Sequence, residues 1–179
     1  MRLVWVVPRY GVDVVGGAET LVRSLATRAT PPGWSVEVAT TCARDHDTWR
    51  NELPAGREGV EGVTVRRFPV SDRLPRRYEL LHAAVVGGSA TYLDELEWLA
   101  QSVWSRELEE WLESSEHDLA ILCPYLFGTT IWGALADAGR AAVLPCLHDE
   151  PYAHLETVDR KSTRLNSSHI QKSRMPSSA

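Results

Sequence analysis

Leu3, Val4, Trp5, Val6 and Val7 form an unbroken apolar run of strand length, closed by Pro8. A strand with no polar alternate is buried on both faces, the condition of a central parallel strand rather than of a sheet with one wet side. After a short loop, Gly16-Gly17 opens a stretch in which Ala18, Leu21, Val22, Leu25, Ala26 and Ala29 recur at helical spacing. Strand, glycine turn and helix in that order predict a helix packed back over the strand. Adjacent glycines at the junction let a ligand approach the backbone, and the free amides of the helix's first turn favour a phosphate or a sugar hydroxyl. The pair serves equally as a plain tight turn, and both readings stay open.

The alternation continues along the chain. Pro31-Pro32-Gly33 breaks the first helix, and Trp34 to Thr40 alternates as a second strand. Arg44 to Glu61 reads as a polar loop, and Gly62 to Val70 as a third strand. Leu74 to Val86 predicts a helix closed by Gly87-Gly88, and Tyr92 to Ser114 one longer helix with an apolar stripe and an acidic, solvated face. Leu119 to Cys123 is a fourth strand, Thr129 to Ala138 a helix stopped by Gly139, and Ala141 to Leu147 a fifth strand. The expected class is α/β, a doubly wound, Rossmann-like parallel sheet. Ligands of such sheets bind beyond the carboxyl ends of the strands. That selects Pro8 to Gly17, Thr41 to Ala43, Pro124 to Gly128 and His148 to Pro151.

The chain of 179 residues is long enough for one domain with a core. Its end has a different character. Both lysines, Lys161 and Lys172, lie after Val158, whereas residues 1–158 use only arginine as a long-chain cation. The segment 159–179 lacks apolar periodicity, and its back-translation resembles a sequencing adapter. It is expected to be a non-native tail and is set apart from the domain at 1–158, together with the glycosylation-like Asn166-Ser167-Ser168. The tail carries five basic residues and one acid, so the first 158 residues hold the other fourteen basic and twenty-three acidic ones, a formal charge of −9. An acidic domain disfavours a nucleic-acid partner held by a basic field. No secretory leader pattern and no apolar run of spanning length occurs. Cys42, Cys123 and Cys146 are far apart in sequence and lack paired metal spacing, which predicts reduced, buried thiols in a cytoplasmic protein.

Two nucleotide motifs are excluded. A dinucleotide fingerprint needs G-x-G-x-x-G directly after the first strand and an acid closing the second, and neither is present. No Gly-Lys-Ser/Thr occurs, so there is no Walker loop. Asp45-His46-Asp47 spells a D-x-D in a polar loop, compatible with a cation or with ordinary surface charge. Arg66, Arg67, Arg73, Arg76 and Arg77 form a local basic cluster that suits either an anionic acceptor or solvent.

Taken in order, PRYGVDVVGGAETLVRSLA, VEVATTCARDHDTWRNELPAG, GVTVRRFPV, LAILCPYLFGTT and AVLPCLHDEPYAHL resemble the N-terminal domain of family-four glycosyltransferases of the GT-B fold. The G-G-x-E junction and the P-C-L-H-D-E-P segment carry most of the likeness. The resemblance implies a retaining transferase that moves a sugar from a nucleotide-sugar donor to a glycan or lipid-linked acceptor, with no metal or other cofactor, at the cytoplasmic side and with possible peripheral membrane contact. By the same resemblance, Gly16 and Gly17 meet the donor diphosphate or sugar through backbone amides. Glu19 orients a substrate hydroxyl or compensates the helix dipole. His148 is the expected catalytic side chain, with a strand-end structural histidine as the alternative. Tyr125 and Phe127 stack on a sugar or pack inside, and Asp149 and Glu150 contact substrate or shape the loop, since a general base suits inversion better than retention. The family's second domain, which grips the nucleotide with two glutamates, has no counterpart among these residues. The chain is therefore expected to be an inactive fragment on its own. The alternative is a non-catalytic phosphate- or carbohydrate-binding α/β module.

Overall fold

A computed structural model describes residues 1–146 and 148–158. The expected tail at 159–179 and Leu147, the last residue of the expected fifth strand, lie outside the described residues. The elements are β1 (Arg2–Val6), α1 (Gly17–Arg28), β2 (Ser35–Thr41), β3 (Gly56–Val60), β4 (Val63–Phe68), α2 (Pro75–Val86), α3 (Tyr92–Gln101), α4 (Arg106–Ser114), β5 (Leu119–Leu122), α5 (Gly128–Ala136) and β6 (Ala141–Val143), followed by a 3-10 turn at Pro151–His154. The class is α/β: one six-stranded, mostly parallel sheet in the order β3-β4-β2-β1-β5-β6, flanked by helices.

The apolar run that opens the chain becomes a central strand for the expected reason. Side chains of a strand alternate between faces. Leu3, Trp5 and Val7 therefore join Val22 and Ala26 of α1 in one core cluster, while Val4 and Val6 join Leu108 and Leu112 of α4 and Ala134 of α5 in another. Burial of each such aliphatic side chain stabilises by about 1.5–3 kcal/mol, so a polar residue at any of these positions costs the fold on one face or the other.

β1 pairs in parallel with β2 and with β5, β2 with β4, and β5 with β6. Parallel pairing puts the carboxyl ends of these five strands on one edge of the sheet. The loops leaving β1, β2, β5 and β6 therefore emerge together.

Two expectations are corrected. The polar stretch before Glu61 is not all loop: Gly56–Val60 forms β3, antiparallel to β4, with Val60 opposite Val63. The two-residue turn between them has Glu61 at φ 49° and Gly62 at φ 82°, the double positive φ that suits the twist of a hairpin. The single helix expected over Tyr92–Ser114 is two helices. Ser105 caps α4, its hydroxyl accepting from Leu108 N at 3.3 Å, and the halves face different partners. Trp98 and Leu99 of α3 pack with Leu81 and Val85 of α2 and with Ile131, whereas α4 lies on the sheet. No helix among the described residues is long and apolar enough to cross a membrane.

Candidate functional site at the carboxyl edge

Beyond Val6 the chain turns at Pro8, whose carbonyl accepts from Thr41 N at 3.2 Å and from its hydroxyl at 2.6 Å. That fixes where Arg9 departs. Its side chain is buried and donates through Nε and Nη2 to Glu19 Oε1 at 3.0 and 2.6 Å, through Nη1 to Arg44 O at 3.2 Å, and through Nη2 to Val15 O at 3.4 Å. The guanidinium also faces the Trp49 ring, 5.7 Å from its centroid. One cation thus ties the β1 loop, the first turn of α1 and the loop after β2.

Glu19 is committed to that cation rather than open to a substrate. Its carboxylate folds over Gly16, where an added Cβ would lie 2.1 Å from Oε2. Gly16 has extended backbone at φ 173°, so what the position demands is room for the carboxylate. Around Gly17 a Cβ would meet nothing within 4 Å. No side chain caps α1, and the first amide of the helix with a backbone partner is Thr20 N, bonded to Gly16 O at 2.9 Å. The amides of Gly17 and Ala18 lie at the positive end of the helix dipole, and the space a side chain at Gly17 would take is open.

The loops after β5 and β6 are held to each other. Tyr125 N donates to Pro145 O at 3.2 Å, and the Tyr125 hydroxyl donates to Glu150 Oε1 at 2.7 Å. The ring is 3% exposed, which makes it a packing element and leaves the hydroxyl to hold Glu150. Burial first, and then the Glu150 carboxylate, push the phenol above its usual range. Phe127 precedes α5 and meets Trp49 edge to face, with centroids 5.4 Å apart at 64°. Trp49 was not foreseen from the sequence. His148 and Asp149 are exposed. Asp149 lies 3.6 Å from His154 across solvent, whereas His148 makes no hydrogen bond or ion pair among the described residues.

The expected residues therefore fall into three groups on one edge: Gly16, Gly17 and Glu19 at the β1 exit, Tyr125 with Glu150 between the last two loops, and His148 with Asp149 after β6. Cys123 and Cys146, far apart in sequence, come together with Sγ atoms 3.5 Å apart.

Four of the five arginines of the expected cluster are engaged by other groups. Arg66 pairs with Glu37 at 3.0 Å and covers Trp111. Arg67 is buried between Glu58 and Tyr10 O, Arg73 stacks on Tyr78, and Arg77 binds Glu97. The ligand atoms of Asp45, His46 and Asp47 lie within 4.8 Å of one another. The Asp45 carboxylate, however, closes its own turn by accepting from Thr48 N at 2.8 Å and Asp47 N at 3.1 Å. The Thr48 bonds hold it below the usual carboxylate range.

The opposite edge carries a Ser115–His117–Asp137 chain, 2.8 Å from Ser115 Oγ to His117 Nδ1 and 2.5 Å from Nε2 to Asp137 Oδ2. Arg140 joins it, donating to Asp137 Oδ1 and to the carbonyls of Leu112, Ser115 and His117. The group clasps the carboxyl end of α4, whose carbonyls take the Arg140 donors, as a structural clamp does. Compared with family models, curated proteins and solved structures, the chain matches none.

Proposed function

We propose that the chain forms the acceptor-side half of a sugar-transfer cleft, a doubly wound, Rossmann-like unit of the GT-B type. The order β4-β2-β1-β5-β6 steps outward in both directions from β1, and ligands of such sheets bind where the order reverses, between the loops of β1 and β5. The observation that carries the reading is that this edge holds both an α1 first turn without a side-chain cap and, after β6, an exposed His148 that has no partner among the described residues. The amides of Gly17 and Ala18 take the phosphate or sugar oxygens of a nucleotide-sugar donor. The His148 imidazole hydrogen-bonds the donor sugar and offsets charge as the glycosidic bond breaks.

Glu19 and Glu150 are both engaged, by Arg9 and by Tyr125, whereas Asp149 is exposed beside His148; retention is taken from the family resemblance, and Asp149 is assigned substrate contact. Arg9 and the Trp49–Phe127 pair shape the wall against which a glycan or lipid-linked acceptor lies. The donor's nucleotide is gripped by a second domain of similar architecture, without a metal.

The test is sugar transfer by the product of the gene's whole reading frame. His148→Ala is expected to lower turnover by roughly a hundredfold or more, the scale of one lost transition-state donor, with an unchanged melting temperature. Undiminished transfer overturns the role of His148. Binding of a nucleotide sugar without any transfer favours a carbohydrate-binding module instead.

A further inference from the structure

The thiols of Cys123 and Cys146 occupy the same face of the sheet, against the cluster that holds Trp5, Val7 and Val22. Their approach is set by the backbone, because Leu144 N donates to Leu122 O at 2.8 Å and Tyr125 N to Pro145 O at 3.2 Å. Those two bonds hold the chain leaving β5 beside the chain leaving β6. The Sγ atoms stand 3.5 Å apart, against a disulfide length of about 2.05 Å. Cys123 is fully buried, whereas Cys146 is partly exposed.

We propose that Cys123 and Cys146 are a reversible disulfide site, with Cys146 as the entry thiol and Cys123 as the resolving one, and that the bridge fixes the loop carrying His148 to the end of β5. The oxidant is a low-molecular-weight disulfide, RSSR. The Cys146 thiolate, its proton lost to water, attacks one sulfur of RSSR, forms a mixed disulfide and expels RS⁻. Cys123 then loses its proton, attacks Cys146 Sγ and expels the second RS⁻. The two protein thiols give up two electrons and two protons, and RSSR leaves as two RSH. Burial above all pushes the Cys123 thiol up, so the second step quickens as pH rises. The pair is independent of the sugar-transfer reading, since it needs only the two sulfurs and the strand register that holds them.

The whole chain is equilibrated in redox buffers of oxidised and reduced glutathione. Remaining thiols are then alkylated under denaturing conditions, and the protein is mapped by mass spectrometry. The expected product is lighter by two hydrogens, with the Cys123 and Cys146 peptides linked, Cys42 alkylated, and reversal by excess reduced glutathione. Cys42→Ser is expected to leave the linkage intact, and Cys123→Ser to halt at glutathione bound to Cys146. The rate of closure should increase about tenfold per pH unit below the Cys123 pKa. Alkylation of both cysteines at every buffer ratio, or a stable glutathione adduct on Cys146 in the unaltered chain, overturns the proposal.

Discussion

The guanidinium of Arg9 places two hydrogen bonds on a single oxygen of Glu19, at 3.0 and 2.6 Å, with side chains only 9% and 12% exposed. Ten residues separate the partners, and between them run Gly16 and Gly17. The pair therefore sets the geometry of the α1 entry. Removing one partner of a buried pair carries an added cost that removing both does not, because the survivor is left charged and dry. Glu19→Gln is expected to destabilise by about 3 kcal/mol and Arg9→Met by a similar amount, while the double variant costs less than their sum by about 2 kcal/mol. Urea denaturation of the four proteins measures the cycle.

The two glycines should respond differently to alanine. At Gly16 the new Cβ displaces Glu19 Oε2, which would stand 2.1 Å away, so Gly16→Ala is expected to cost about 1–3 kcal/mol as an overpacking change. At Gly17 nothing lies within 4 Å, the residue is helical, and Gly17→Ala is expected to be neutral or to stabilise by about 0.4–1 kcal/mol through the unfolded chain. Thermal melts distinguish the two. A Gly17→Ala variant that folds normally yet loses affinity for a nucleotide sugar ties the open space to ligand approach rather than to the turn.

Glu109 supplies a pH dependence. Burial, and then Glu113 and Glu110, raise its carboxyl from 4.5 to about 7 against the pull of Arg106, and its Oε1 is buried without a hydrogen-bond partner. Between those two values the folded chain holds a proton that the unfolded chain has lost, so stability falls as pH rises through the window and the loss is complete above the folded pKa. Because the side chain is partly exposed, the contribution is discounted for screening to about 1–2 kcal/mol. Glu109→Gln is expected to be the more stable protein at pH 8 and no better at pH 4. Urea midpoints of both proteins across that range give the difference directly.

Much of the scaffold was legible: β1 and β5 wrote themselves as apolar runs and β2 and β4 as strand-like stretches bounded by Gly and Pro, and all four lie within a residue or two of where those stretches fall. β3 was not legible. Gly56-Arg57-Glu58-Gly59-Val60 has poor strand propensity, and it is ordered by pairing with β4 and by ion pairs such as Glu58–Arg67. The break between α3 and α4 was hidden by a stripe that stays apolar across it while changing partners. Ser105 followed by acidic residues was the available cue. At the site, the loops that converge were readable from strand polarity alone. Which side chains meet across them was not: Arg9 with Glu19, Tyr125 with Glu150 and Cys123 with Cys146 are joined by tertiary register, which leaves no local pattern.

The most direct measurement is a titration of the isotope-labelled product of the whole reading frame with a nucleoside diphosphate sugar, followed by the backbone amide resonances of Gly17 and Ala18 and the imidazole resonances of His148. The account predicts that they shift together and saturate at one dissociation constant. Resonances that stay still there, while those of Arg2, Ser35 and Glu116 around the groove at the opposite edge move, would contradict it.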